Sequence, residues 1–245
     1  MALVHEFEKS GNWLFKRRSW LPLILIAGGI VLLYLTNRQA ILFDSTEELI
    51  FLGVSLFGEV IRIMTVGFAP KSTSGRNTSA GQVADELNTT GIYSIVRHPL
   101  YIGNFFMWLG PVLFIRSLAG VVFFILIYWL YYERIMFAEE QFLRRKFVET
   151  YDKWAENVKA VIPTFKGYVK YSLPFSAKTV LKREHNSFFG VFVIFVALDL
   201  FRNYFMSERI FLTPMWIWIG APALVIWAIL RLIHKKTGWL KTEGR

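Results

Sequence analysis

Cysteine is absent from the 245 residues. That removes disulfide frameworks, thiolate nucleophiles and thiolate metal sites, and leaves the compartment open. Charge is scarce as well. Asp, Glu, Lys and Arg make up 19% of the chain, against about 25% in an ordinary soluble protein. Acids are the scarcer sign, 18 against 28 bases, for a formal net charge of +10. No internal repeat and no low-complexity tract interrupts the chain. What abounds is apolar: 54% of the residues, with a mean hydropathy of +0.40. A soluble domain of this composition would expose large greasy patches, and a disordered chain would not carry so much apolar mass. In a membrane protein, excess positive charge marks the cytosolic loops rather than a nucleic-acid partner. Neither a nucleic acid nor a metal is an expected partner; the bilayer is.

The apolar residues fall into six runs. Between Arg18 and Arg38 lie 19 residues without a charge, close to the roughly 20 that a helix needs to cross a hydrocarbon core. Leu49–Pro70 is a second run and contains Glu59 and Arg62. Pro99–Ile115 and Ser117–Tyr132 are uncharged for 17 and 16 residues, hinged at Arg116–Gly120, and read as a helical hairpin. Ser187–Tyr204 is broken by Asp199 and Arg202, and Ile210–Leu230 runs 21 residues without a charge. The expected fold is an all-α polytopic membrane bundle of about six transmembrane helices with a cytosolic amphipathic helix.

Lys16, Arg17 and Arg18 precede the first run, and the segment after it mixes Arg38 with Asp44, Glu47 and Glu48. Lys71, Arg76 and Arg97 follow the second, residues 134–183 the fourth, and Arg231, Lys235, Lys236 and Lys241 the sixth. Six spans put all the basic segments on one face, so both termini are expected in the cytosol, in a bacterial cytoplasmic membrane. The opening, with Glu6 and Glu8 ahead of the basic cluster, does not read as a secretory signal. The expected organisation is an N-terminal segment with the first span (1–48), a central core (49–165) and a C-terminal extension with two spans (166–245).

Two cytosolic segments are polar enough for chemistry. Lys71–Thr90 is rich in Ser, Thr, Asn and Gly and reads as a loop, with at most a short helix near Gln82–Leu87; it is either a connector or a lid. Glu133–Pro163 places Ile135, Phe142, Leu143, Phe147, Tyr151 and Trp154 at helical spacing, so the fourth span should run on as an amphipathic helix near the headgroups, ended by Ile162–Pro163. A surface helix with ion pairs explains most of its charges. It explains the adjacent acids Glu139 and Glu140 less well.

The most informative stretch is GIYSIVRHPLYIG, Gly91–Gly103. Proline suits the first position of a helix, where its missing N–H costs nothing, so Pro99 should start the third span. Arg97, His98 and Tyr101 then gather at the cytosolic, positive end of that helix. RHP by itself is equally compatible with an interfacial anchor.

RHPLYIG, then after one hairpin Glu139–Glu140, then Phe147, Tyr151 and Ile162–Pro163, resembles the isoprenylcysteine carboxyl methyltransferase superfamily, to which phospholipid methyltransferases are similar. The resemblance covers about half the chain. It implies an integral membrane enzyme that uses S-adenosylmethionine in a cytosolic pocket and takes a lipid acceptor from the bilayer. It implies that Tyr93, His98, Pro99, Tyr101 and Gly103 form a first cofactor-binding element and Glu139 and Glu140 a second. Arg97 and Arg134 match positions near the acceptor or the cofactor carboxylate. Arg134 stands five residues before Glu139, where the family pattern has four before the pair, and the chain continues about 80 residues past Pro163, where many relatives end.

Methyl transfer is an in-line displacement that needs alignment and exclusion of water rather than a metal. Aromatic faces tolerate a sulfonium, carboxylates accept from ribose hydroxyls or an ammonium, and arginine holds an anionic acceptor. A phosphate or carboxylate acceptor needs no general base; an amine would, and His98 is then the first candidate. Glu59 and Arg62 sit three apart on one helix face, Arg62 within reach of an acceptor site and Glu59 read as structural. Asp199 and Arg202 read as packing. Three functions are expected in order: methylation of a lipid phosphate or headgroup, methylation of an isoprenylcysteine carboxylate, and a non-enzymatic transporter or scaffold. The basic residues Lys166, Lys170, Lys178, Lys182 and Arg183 put the lipid phosphate first.

Overall fold

Each of the six apolar runs folds as a helix in the computed structural model, which describes residues 2–18, 21–36, 45–70, 76–78 and 81–240. Arg38, Asp44, Lys71 and Lys241 lie outside the described residues. In chain order the helices are α1 (Leu3–Arg17), α2 (Leu21–Thr36), α3 (Ser45–Gly67), α4 (Pro99–Phe114), α5 (Leu118–Asn157), α6 (Ala177–Ser207) and α7 (Pro214–Lys236). Helices α3, α5, α6 and α7 are each long and apolar enough to cross a membrane. Helices α2 and α4 have 16 residues, about 24 Å at 1.5 Å per residue, a little short of a core of about 30 Å.

Two sequence expectations need correction. Residues 82–87 form no helix; strands β1 (Arg76–Thr78) and β2 (Gly81–Val83) pair there as a small antiparallel hairpin. The amphipathic continuation of α5 does not reach Pro163. The helix breaks at Val148 (φ 41°) and ends at Asn157. A β-branched residue seldom takes positive φ. The break turns the last arm back, so that Tyr151 and Trp154 pack with Leu143 and Ala84. Helix α1 was not foreseen. It is amphipathic, lies along α5, and fits because Gly11 meets the Arg134 carbonyl where a Cβ would stand 2.0 Å away.

Small residues set the central packing. A Cβ on Gly58 would stand 2.3 Å from the Gly103 carbonyl oxygen, and one on Gly110 would stand 2.4 Å from that of Phe51. Helices α3 and α4 thus touch backbone to backbone, as membrane helices do where side chains are small. The Ser55 hydroxyl donates across this seam to the Met107 carbonyl (2.9 Å). The main apolar core joins α2, α3, α4, α6 and α7 around Leu33, Phe114, Phe195 and Trp216; a second joins α1, α4 and α5 around Phe15, Phe124, Tyr128 and Ile135.

Buried charge closes one end of the bundle. Arg202 bonds Glu48 and Asp199. Trp216 Nε1 donates to Glu48 (2.6 Å), and the Thr213 backbone N–H and hydroxyl donate to Asp199 (2.8 and 2.7 Å). This network ties α3, α6 and α7 together, in keeping with a packing role for Asp199 and Arg202. The site lies at the other end.

Candidate functional site

Helix α4 begins at Pro99, and His98 stands just ahead of it in non-helical backbone. Residues 95–98 are held from behind by the chain that leaves α5. Arg97 and His98 donate their backbone N–H to the carbonyls of Lys159 and Ala160 (2.9 and 3.0 Å), and Thr164 donates to Ile95 (2.9 Å). Upstream, Gly91 has φ +60° with the Tyr171 ring packed where a Cβ would be. The Ser94 hydroxyl bridges Gly91 and Val169, and Trp154 Nε1 donates to the Tyr93 carbonyl (3.0 Å). The RHP segment is therefore a clamped turn.

Around it lies a polar cavity of about 350 Å³ lined by Tyr93, Arg97, His98, Pro99, Leu100 and Tyr101, with Arg62 and Asn104 on one side, Tyr132 and Glu139 from α5, and Arg18 and Ser187 from the flanking helices. His98 Nε2 lies 2.8 Å from Glu140 Oε1, and Nδ1 lies 3.9 Å from Glu139 Oε2. The Tyr101 hydroxyl donates to Glu139 (2.9 Å), and Tyr128 donates to the Tyr101 carbonyl (2.6 Å). Arg97 donates to Glu140 (2.9 Å) and to the carbonyls of Ala155 and Val158 (2.8 Å each).

The Glu140 carboxyl lies past the apolar part of α5. Burial acts to raise its pKa, but the His98 hydrogen bond and charge, with Arg97, outweigh this and hold it below the ordinary carboxylate range. An ionised carboxylate only accepts, so the proton in the His98–Glu140 bond sits on Nε2. Burial, aided by the Glu139 charge, pushes the Tyr93 phenol up, so it stays a neutral donor.

Two further hollows adjoin the cavity. Behind His98 and Glu139 a narrow cleft is lined by Glu140, Leu87, Asn88, Leu143, Tyr151 and Trp154 and shares Tyr93 and Arg97 with the cavity. Between α4 and α5 an apolar groove of about 330 Å³ is lined by Phe105, Phe106, Ile125, Trp129 and Met136 among others. Tyr101 and Tyr132 belong to both groove and cavity.

The structure thus gathers Arg62, Tyr93, Arg97, His98, Pro99, Tyr101 and Glu139 on one cavity, with Glu140 just behind. It does not bring Gly103 or Arg134 to it. Gly103 faces α3, where a Cβ would stand 2.6 Å from Arg62 Cγ; its hydrogen makes room for the Arg62 stem. The Arg134 guanidinium lies over the Phe7 ring, 3.2 Å from its centroid, turned towards α1. Glu59 is buried, and neither of its oxygens has a hydrogen-bond partner among the described residues. Arg62, which lines the cavity, reaches to Glu184 of α6, 2.7 Å away. Asn104, Tyr132, Ser187 and Glu184 were missed. Two signals for them stand in the sequence: Asn104 is a lone amide in an uncharged span, and Glu184 is an acid closing a basic stretch. Arg18 was read only as an orientation signal.

Residues 49–150 match the model of the phospholipid methyltransferase family. The chain is 31% identical over 113 residues to a protein-S-isoprenylcysteine O-methyltransferase of Schizosaccharomyces pombe, covering 46% of the chain and 48% of that protein. It is 30% identical over 131 residues to a probable protein-S-isoprenylcysteine O-methyltransferase of Oryza sativa subsp. japonica, covering 51% of the chain and 68% of that protein. It is also 34% identical over 107 residues to the nickel-cobalt-cadmium resistance protein NccN of Alcaligenes xylosoxydans xylosoxydans, covering 41% of the chain and 50% of that protein. The chain thus spans about half the length of the first and last of these relatives. No solved structure matches it.

Proposed function

Because the chain belongs to the superfamily of integral membrane methyltransferases that holds the isoprenylcysteine O-methyltransferases and the phospholipid methyltransferases, we propose that it transfers a methyl group to an anionic oxygen of a lipid-anchored acceptor. The supporting observation is the junction at Tyr101 and Tyr132, the wall shared by a polar cavity and an apolar groove between two helices. A headgroup fits the first and a hydrocarbon chain the second.

S-Adenosylmethionine, the methyl donor of the family, supplies a sulfonium-activated methyl group and its own leaving group. The residues present fit it. The cleft and cavity offer paired acids, Glu139 and Glu140, for hydroxyl or ammonium donors, and the faces of Tyr93 and Tyr101 beside them. Glu140 fixes the His98 ring, Glu139 takes the Tyr101 hydroxyl, and Arg97 locks the turn to the end of α5. These bonds hold the walls in place, so that alignment costs little when the acceptor arrives. With an ionised acceptor oxygen no side chain has to remove a proton. We place this mouth on the cytosolic face, and take 49–165 as the catalytic core with 1–48 and 166–245 as additions to it.

Charge bears on the acceptor. Three guanidinium groups, Arg18, Arg62 and Arg97, line the cavity; three carboxylates, Glu139, Glu140 and Glu184, line it or bond those arginines. Walls this balanced suit a singly charged acceptor, and the named relatives add weight to a carboxylate. We therefore rank an isoprenylcysteine carboxylate ahead of the lipid phosphate that the exposed lysines had favoured.

The test is purified protein with methyl-labelled S-adenosylmethionine, offered N-acetyl-S-farnesylcysteine and, separately, a total lipid extract. Base-labile label on the farnesylcysteine is the expected result. Label confined to chloroform-soluble phospholipid would transfer the function to the lipid headgroup, its phosphate if the label is on oxygen and its amine if the label is on nitrogen. No transfer to either would overturn methyl transfer itself.

A further inference from the structure

Helix α6 lies outside the segment that matches the methyltransferase family, which ends at residue 150. It nevertheless supplies part of the cavity. Ser187 stands in the lining, and Glu184, one turn earlier, grips Arg62. The grip is two-pronged: Arg62 Nε donates to Glu184 Oε2 (2.9 Å), and Nη2 donates to the same carboxylate at 2.7 Å. Nη1 donates to Asn104 Oδ1 (2.6 Å), and Asn104 Nδ2 donates to the Tyr132 hydroxyl (3.4 Å). A belt of four side chains, from α6, α3, α4 and α5, thus runs round the wall next to the apolar groove.

A guanidinium has five N–H groups in a rigid fork. Nε and Nη1 each give one bond, and Nη2 reaches both Glu184 oxygens, at 2.7 and 3.0 Å. The second N–H of Nη1 has no partner among the described residues, and Arg62 lines the cavity. The Glu184 side chain is 5% exposed and that of Arg62 is 16% exposed, so this is a partly dry pair, in which a charged hydrogen bond fixes direction strongly. With Glu184 absent, the long Arg62 side chain would keep its charge and lose its aim.

We infer that Glu184 is a positioning residue for the acceptor: it holds the Arg62 fork so that the remaining Nη1 N–H meets an anionic oxygen of the incoming lipid, leaving the cofactor end to His98 and the acid pair. The inference rests on the proposed methyl transfer and deepens it. It makes the C-terminal helix pair part of acceptor recognition and not only an anchor.

The experiment compares wild type, Glu184→Ala, Glu184→Gln, Arg62→Ala and the double alanine variant. The probes are N-acetyl-S-farnesylcysteine, its uncharged methyl ester, and S-adenosylmethionine. Glu184→Ala raises the acceptor KM about tenfold, the size expected for one charge-assisted bond. It leaves kcat and the Kd for S-adenosylmethionine within about twofold, and it removes the preference for acid over ester in direct binding. Glu184→Gln, which keeps shape and one acceptor oxygen, falls between. The double variant is no worse than Arg62→Ala alone, because both act through one contact.

An unchanged KM in Glu184→Ala overturns the inference. So does a fall in cofactor affinity parallel to the rise in KM, or additive losses in the double variant, since each marks a general structural role. Helix content and melting of Glu184→Gln guard against simple misfolding. Absence of turnover in wild type would sink the proposed reaction separately; the acid-against-ester binding comparison would still decide Glu184, and equal binding of the two probes by wild type would refute it.

Discussion

Two clusters of buried charge among the described residues stand about 27 Å apart along α6, at 1.5 Å per residue from Glu184 to Arg202, and they are built differently. At the Arg202 end, both oxygens of Glu48 and of Asp199 have donors, and Arg202 binds both acids. At the Arg62 end the groups are tied yet not saturated: a spare Nη1 N–H on Arg62, an acid pair that takes His98 and Arg97 on one oxygen of Glu140 and Tyr101 on one oxygen of Glu139, and a cavity between them. Saturation is what a fastener needs, and spare capacity facing a hollow is what a binding site needs. Buried charge alone does not separate the two roles; the hydrogen-bond accounting does.

The largest effect should come from breaking the fastener. Arg202→Ala leaves Glu48 and Asp199 buried without their cation, a loss of about 3–5 kcal/mol, read as a steep fall in the melting temperature of the detergent-solubilised protein. At the site, by contrast, Glu140→Gln or His98→Ala should lower S-adenosylmethionine affinity by about 10–100-fold, the worth of a hydrogen bond to a charged group, while helix content by circular dichroism stays constant. Unchanged affinity in either variant would remove that residue from the cofactor end.

Gly103→Ala probes the seam between the two. Its methyl would meet Arg62 Cγ at 2.6 Å and the Gly58 carbonyl at 2.8 Å; a cost of about 1–3 kcal/mol is expected for overpacking, together with a raised acceptor KM as Arg62 shifts. Gly53→Ala, with nothing within 4 Å of the new carbon, is the control and should melt like wild type.

The smallest effect concerns pH. The Glu140 carboxyl is held low in the folded protein, so its pairing contributes stability that is fully present above its unfolded pKa and is lost as pH falls through the folded value. Melting curves of wild type minus Glu140→Gln should therefore converge below the ordinary carboxylate range and stay parallel through neutrality. A difference that opens only on the alkaline side would contradict the direction of that shift.

The sequence was most legible where the cause is local. The six helices follow from unbroken apolar runs, and the start of α4 follows from Pro99, because these signals lie within a few residues of their effect. The meeting of His98 with Glu139 and Glu140 was also foreseen, through the resemblance and the hairpin between them. Less legible were contacts that depend on how distant helices rotate. Arg62 and Glu184 are separated by 122 positions, and nothing on α3 tells which distant acid its arginine will face. Gly103 entered through the resemblance as part of the cofactor-binding element, whereas the close neighbour of that glycine is helix α3. The Val148 break has no sequence signal of the usual kind, since neither Gly nor Pro marks it.

That break has a consequence for traffic at the cleft. The arm beyond Val148 carries Tyr151 and Trp154 over the space behind His98, and the segment leaving it is stitched to residues 95–98 by main-chain bonds, with Arg97 adding two more to Ala155 and Val158. Such an arm is no loose flap. Peeling it away would break the main-chain bonds that seat the imidazole it shelters.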